Sequence, residues 1–187
     1  MPGEALSPVS TLCLAILHRG DATGYEIKKE SVDGNDSYFI DASYGSIYPA
    51  LARLAADGLV TSREETQPGR PARKVYSITE AGRDALLKAL SEPPGPDVFR
   101  SRFLLVAKFA QDLPASVLAA AVAERRRHIA EELAHLDRIA ADCCGKPSVA
   151  WVIDYGRACM TTSLKQLDER ADELIAIGHP PIADAAE

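Results

Sequence analysis

The sequence predicts a mainly α-helical protein with a small β-hairpin, divided into two domains. Three observations predict this class. Apolar residues recur at spacings of three and four through most of the 187 residues, as the buried faces of helices do. A stretch in the first half alternates apolar and polar residues, as half-buried strands do. Prolines and a glycine crowd Ser91–Pro96, where no helix can continue, so we expect domains over residues 1–91 and 97–187.

Composition and charge exclude several classes of protein. No run approaches the roughly 18 consecutive apolar residues of a membrane span, and the first residues lack the basic flank of a secretory signal. We therefore expect a cytoplasmic protein without a membrane partner. The formal net charge of −6 argues against general coating of nucleic acid but allows a local basic surface. The cysteines show no paired metal-ligand spacing and are expected to be free thiols: Cys13, Cys143, Cys144 and Cys159.

The first two helices are marked by residues that favour helix ends. Ser7 is a good N-cap, Pro8 suits the first helical position, and Gly20 can end the helix. A second helix opens at Thr23, and Glu26 three residues later completes a capping box. The Tyr-Phe-Ile run at 38–40 is rich in residues that favour strands and predicts a short strand before the next helix.

A third helix is predicted from Ser43 to Ala56, with a glycine two residues beyond it. The pattern then becomes strand-like, with strands at Leu59–Arg63 and Arg73–Ile78 joined by a loop with a Pro-Gly turn. Thr79 caps a fourth helix. Helices followed by a hairpin in this order are typical of a winged helix-turn-helix. The apolar positions of the third helix form one stripe, Ile47, Ala50, Leu51 and Leu54, and those of the fourth helix are Leu86, Leu87 and Leu90.

Beyond the linker the sequence predicts helices only. The first spans Val98–Ala110, a longer one opens near Pro114, Gly145–Pro147 breaks it, and the last spans Ser148–Ile177. Each carries an apolar stripe, and two long amphipathic helices need more cover than a small domain provides. We therefore expect a C-terminal helical dimerisation domain and a homodimer.

The third helix and the hairpin carry the residue types that bind DNA. A helix fits the major groove when one face anchors it and the other presents short polar or aromatic side chains. The loop and the start of the second strand hold basic residues and no acidic one, which suits phosphates or a narrow minor groove. We expect double-stranded DNA as the partner, contacted by Ser43, Tyr44, Ser46, Tyr48, Arg53, Arg70, Arg73 and Lys74. The tyrosines could instead cover the core, and the arginines could belong to an ordinary solvated turn.

Over most of residues 7–90 the chain resembles the PadR family of bacterial winged-helix regulators. The resemblance rests on four blocks in the family's order and spacing: Thr23–Ile27, Tyr44–Leu54, Gly58–Val60 and Gly69–Arg83. It implies that Ser43–Ala56 is the recognition helix and Gln67–Lys74 the wing. It also implies a homodimer that binds an inverted-repeat operator and usually represses. Members commonly have proline where this chain has Tyr44, a substitution that we expect to alter base preference.

The C-terminal half is similar to the longer helical domain of one branch of that family. The resemblance implies dimerisation through these helices and, in some members, an apolar cavity for a small aromatic effector. Trp151, Tyr155 and Met160 on the last helix fit either an effector pocket or the dimer seam. Packing at the seam is the more ordinary role for such residues.

No arrangement of residues indicates an enzyme. The sequence lacks a nucleophile elbow and a glycine-rich phosphate loop, so we expect neither catalysis nor a cofactor. One helix carries a row of His and Glu residues, which are usually solvated surface, so no metal site is expected at His128, Glu131, Glu132 and His135. Arg125–Arg127 beside acidic residues predicts an ion-paired helix. The competing interpretations are a winged-helix protein-interaction module without sequence-specific DNA binding and a ligand-binding helical dimer with a secondary DNA role.

Overall fold

The computed structural model describes residues 6–180 apart from 33, 35, 37, 67–71 and 143–144, with no side-chain description at 44 and 142. The chain divides into two compact units, Met1–Pro96 and Asp97–Glu187. The first unit contains α1 Pro8–His18, β1 Ala22–Thr23, α2 Gly24–Val32, α3 Tyr44–Ala56, β2 Val60–Glu65, β3 Arg73–Ile78 and α4 Glu80–Ser91. The second contains α5 Arg102–Lys108, a 3₁₀ turn Ala110–Asp112, α6 Ala115–Asp142 and α7 Pro147–Ile177. The predicted class, mainly α with a little β, is confirmed.

Hydroxyl side chains cap the N-termini of three helices of the first unit, as the sequence predicts. Ser7 Oγ accepts a hydrogen bond from the Ser10 N–H at 3.1 Å, and Thr79 Oγ1 accepts one from Gly82 at 3.0 Å. At α2 the Thr23 hydroxyl accepts from the Glu26 N–H at 3.2 Å, while Glu26 accepts from the Thr23 N–H at 2.7 Å. These bonds satisfy N–H groups that have no partner inside the helix.

The sheet has three antiparallel strands in the order β1-β3-β2. Thr23 of β1 lies opposite Val75 of β3, and Glu65 of β2 lies opposite Arg73. The short strand predicted at residues 38–40 is wrong, because Tyr38 and Phe39 occupy a turn. Both rings are more than half exposed, so their high strand propensity is not supported by a neighbouring strand. The extra strand is β1 instead, between the first two helices.

The core of the first unit lies between α1, α3 and the sheet. Ile47, Leu51 and Leu54 on α3 are fully buried, and their spacing of three and four places them on one face. On α4 one of the three apolar leucines enters this core. Leu86 is 2% exposed, whereas Leu87 and Leu90 are 55% and 64% exposed.

The second unit is built on the pair α6 and α7. Two ion pairs cross between them, Arg126 with Asp168 at 2.9 Å and Arg157 with Asp137 at 2.5 Å. The early residue of one helix meets the late residue of the other, as in an antiparallel pair. Leu118, Val122 and Ile129 of α6 are the fully buried side chains of this unit among the residues described.

The first C-terminal helix is shorter than predicted. The expected helix Val98–Ala110 begins only at Arg102, because Ser101 is its N-cap and accepts from the Leu104 N–H at 3.2 Å. Val98 and Phe99 therefore lie before the helix, each 76% exposed. Within the described part of the chain, no helix combines the length and apolar character needed to cross a bilayer.

Candidate nucleic-acid interface

Helix α3 has one face in the core and one in solvent. The buried side is apolar, and the exposed positions include Gly45, Tyr48, Pro49, Ala52 and Arg53. No carboxylate among the described residues pairs with Arg53, whose guanidinium is therefore available to an external anion. The helix is thus anchored on one side and accessible on the other, as a helix that enters a groove must be.

The first turn of α3 is held by its own serines. The Ser46 hydroxyl accepts from the Ser43 N–H at 3.1 Å and donates to the Ser43 carbonyl at 2.8 Å. The hydroxyl proton of Ser46 is thus occupied, and this side chain can contact a ligand only as an acceptor unless the cap opens. Tyr44 is the first residue of the helix, and its side chain lies outside the description.

Tyr48 joins the exposed face of α3 to the start of α2. A Cβ atom added to Gly24 would lie 2.8 Å from Tyr48 Cε1, so the ring rests directly on the glycine. The ring is still 49% exposed. Tyr48 therefore covers α2 and remains accessible, so the two roles considered for it are compatible. The adjacent Tyr25 is 66% exposed, and its sequence context does not distinguish it from a core aromatic.

The root of the wing is a chain of ion pairs. Glu65 Oε1 accepts from Arg63 Nε and Nη2 at 3.2 and 3.0 Å. Its Oε2 accepts from Arg73 Nε and Nη2 at 3.2 and 2.9 Å. The two arginines hold the pKa of Glu65 below its ordinary value, Arg73 more than Arg63. The predicted DNA contact Arg73 is therefore already engaged by a carboxylate.

A second carboxylate extends this network. Asp21 Oδ2 accepts from Arg63 Nη1 at 2.7 Å, and the same nitrogen donates to the Ser77 hydroxyl at 3.1 Å. The Arg63 guanidinium lowers the pKa of Asp21. Lys74 lies on the neighbouring position of β3, with its ammonium 5.4 Å from the centre of the Tyr76 ring. We define the wing-root network as Asp21, Arg63, Glu65, Arg73 and Ser77.

The wing root lies near the beginning of α2. The Thr23 N–H and hydroxyl lower the pKa of Glu26, Arg73 lowers it further, and Glu65 raises it. Glu26 is therefore within electrostatic range of the wing-root network, and Gly24 beside it carries the Tyr48 ring. Tyr48 and Arg73 thus approach the same end of α2, whereas Ser43, Ser46, Arg53 and Lys74 have no described contact with that group. Arg70, predicted at the tip of the wing, lies outside the described residues.

The three candidate residues on α7, Trp151, Tyr155 and Met160, lie apart from the cavity of their own unit. Trp151 and Tyr155 stack with ring centres 5.6 Å apart and planes at 12°, and both are more than half exposed. Met160 is half-buried. None of the three lines the cavity of about 500 Å³ formed by Phe99, Phe103, Leu104, Arg125, Ile129 and neighbouring residues of α7.

The remaining expectations concern the arginines of α6, a metal site and the cysteines. Arg126 and Arg127 are ion-paired as expected, Arg127 with Glu124 at 2.6 Å and with Glu131 at 2.5 Å. The described residues contain no cluster of three or more potential metal ligands. Cys13 is buried and Cys159 exposed, both unpaired, while Cys143 and Cys144 lie outside the described residues.

Residues 13–88 match the Transcriptional regulator PadR-like family. The negative transcriptional regulator PadR of Bacillus subtilis is 31% identical over 100 residues, which cover 51% of this chain and 53% of that protein. This chain therefore spans about half the length of that relative in the sequence match. The prediction of family membership made from the four sequence blocks is confirmed.

Solved structures extend the likeness to both units. The protein smu.1604c of Streptococcus mutans has 30% identity and a TM-score of 0.77, covering 87% of this chain and 98% of that one. Bacillus subtilis PadR, solved with operator DNA, has 20% identity and a TM-score of 0.75, covering 90% and 99%. Its complex with p-coumaric acid has a TM-score of 0.67 at the same identity, covering 89% and 98%. At 20% identity these last two likenesses show the fold alone. The family match over residues 13–88, together with 30% identity to a protein covered over 98% of its length, shows that the chain belongs to the PadR-like family of transcriptional regulators.

Proposed function

We propose that this regulator binds double-stranded DNA with α3 in the major groove and the β2–β3 wing on the backbone. The division of α3 carries the proposal. Ile47, Leu51 and Leu54 have no exposed surface, so the helix is fixed rigidly while Tyr48 and Arg53 face outward. A rigid helix with an accessible polar face is what direct reading of base edges requires.

We propose further that the protein is a repressor that acts as a homodimer on an inverted-repeat operator in the cytoplasm. Bacillus subtilis PadR is named a negative transcriptional regulator and was solved on operator DNA, which supports this assignment by analogy. An operator with two-fold symmetry matches two copies of the same reading helix.

Exposed apolar side chains of the second unit support the proposed homodimer. Many of its large apolar side chains are more than half exposed in the single chain, a surface that soluble proteins usually cover. They include Val98, Phe99, Leu104, Leu105, Trp151 and Tyr155. The stacked pair on α7 is thus assigned to the dimer seam rather than to an effector pocket.

An effector site fits better in the cavity of the second unit. Phe99, Phe103, Leu104 and Ile129 supply apolar walls, and Arg125 is half-buried there without an ion-pair partner among the described residues. The lining also contains Arg170 and Glu173, which pair with each other at 2.8 Å. An apolar pocket in which one arginine is left unpaired suits a small aromatic acid, and PadR of Bacillus subtilis was solved with p-coumaric acid. We propose that such a ligand releases the operator.

DNA binding is tested by fluorescence anisotropy with a duplex from the region upstream of the protein's own gene. Lys74→Gln should weaken binding about threefold at 0.1 M salt and reduce the salt slope by about one, because one phosphate contact is lost. Lys88→Gln on the exposed side of α4 is the matched control and should have no effect.

Three outcomes would contradict parts of this proposal. Absence of binding to any duplex would favour the protein-interaction module. An unchanged Kd in Lys74→Gln would exclude this part of the wing as a backbone contact. If p-coumaric acid or other small aromatic acids left binding unchanged while Arg125→Gln also had no effect, the effector assignment would be wrong.

A further inference from the structure

Glu65 holds a central place among the charged side chains of the wing root. Each of its carboxylate oxygens accepts hydrogen bonds from one guanidinium, Oε1 from Arg63 and Oε2 from Arg73. The Glu65 side chain is 31% exposed and the Arg73 side chain 46%. A phosphate arriving from solvent can therefore reach this pair, and would compete with the carboxylate for the same N–H donors.

The two arginines differ in what holds them. Arg63 has a second carboxylate partner, Asp21, at 2.7 Å. Among the described residues, Arg73 forms an ion pair with Glu65 alone, with a closest N···O distance of 2.9 Å. Neutralising Glu65 therefore frees Arg73 but leaves Arg63 bound to Asp21, so the effect of Glu65 on one arginine can be isolated.

We propose that Glu65 withholds Arg73 from DNA phosphates and thereby limits the affinity of the wing for any duplex. This inference rests on the proposed DNA-binding function and assigns a specificity-determining role to an acidic residue. Phosphate contacts provide affinity that is independent of sequence. Keeping this contribution small leaves discrimination between sites to the helix that reads the bases. Glu65 acts through Arg73, so its effect disappears when Arg73 is absent.

Glu65→Gln is the direct test, because it preserves shape and removes the charge. Anisotropy with the upstream duplex and with an unrelated duplex, measured from 50 to 200 mM salt, should show about two- to fivefold tighter binding to both at low salt. The salt slope should become steeper by about one, because Arg73 then replaces a condensed counterion on the DNA. A structural role alone would not steepen that slope.

Asp21→Asn is the matched control within the same network. It removes one carboxylate but touches Arg63 rather than Arg73, so we expect less than a twofold change in Kd. In an Arg73→Gln background, Glu65→Gln should give no gain.

Unchanged or weaker binding by Glu65→Gln would overturn the proposal while leaving DNA binding by the unmutated protein intact. An equal gain from Asp21→Asn, or a gain that persists without Arg73, would overturn it as well, since the effect would then be one of general charge. Absence of binding by the unmutated protein to either duplex would overturn this proposal together with the proposed function.

Discussion

The two units of the chain differ in how much apolar surface they bury by themselves. In the first unit six large side chains have at most 1% exposure: Leu14, Leu17, Ile27, Ile47, Leu51 and Leu54. The described part of the second unit has three with so little exposure, Leu118, Val122 and Ile129, although its helices are longer. The first unit thus forms a closed core within one chain, although Leu87 and Leu90 stay exposed, whereas the second unit has the smaller core and also leaves large apolar side chains in water. The completeness of the core, rather than the helix content, therefore distinguishes the two units, and this difference is the basis of the proposed dimerisation through the second.

The largest expected effect is a core truncation in the first unit. Leu51→Ala should lower the free energy of unfolding of this unit by about 3 kcal/mol, because the side chain is fully buried and leaves a cavity. Denaturant unfolding at two protein concentrations measures it. The loss should be the same at both, and the exposed Leu87→Ala should cost less than about 0.5 kcal/mol. A loss that depends on concentration would mean that the first unit also relies on a partner.

A smaller effect is expected at the exposed apolar surface of the second unit. Phe99→Ser with Leu105→Ser should weaken self-association at least roughly tenfold, because each change removes apolar surface from a contact between chains. Analytical ultracentrifugation measures the association constant. Leu90→Ser, a change at a comparably exposed leucine of the first unit, is the control. Equal weakening by that control would remove the distinction between the units.

The smallest effect concerns the two described thiols. Burial raises the pKa of Cys13 to about 12, so almost no thiolate exists at pH 8, whereas Cys159 is exposed on α7. Iodoacetamide should label Cys159 within minutes and Cys13 only through unfolding, as peptide mass spectrometry would show. Because the folded pKa lies above the ordinary 9.0, Cys13 contributes stability below pH 9.0 that is lost as the pH rises toward 12. Rapid labelling of Cys13 at pH 8 would contradict a closed core.

Local signals predict much of the first unit. Ser7, Thr23 and Thr79 start their helices as predicted, because capping depends only on residues three positions away. The buried stripe of α3 follows from spacing alone. By contrast, the two residues of β1 form a strand only because β3 lies beside them. A pattern of two residues is too short to predict such a strand from the sequence.

The candidate site is less accessible to prediction. Arg73 could be selected for its charge, but its pairing with Glu65 depends on the register of β2 against β3. The ion pair therefore becomes visible only when the strands are aligned. In the second unit the apolar spacing predicted helices but not the cap at Ser101, which places Phe99 outside α5.

The contact between Gly24 and Tyr48 has a consequence for how this surface can change over evolutionary time. A side chain at position 24 would occupy the space that the Tyr48 ring now fills, since a methyl group on Gly24 would lie 2.8 Å from an atom of that ring. A lineage that enlarges position 24 must shrink or turn the residue at 48, and so alters the outward side of α3 through a mutation on α2. A substitution at Gly24, which does not itself face the groove, would then change which DNA sequences the proposed reading helix prefers.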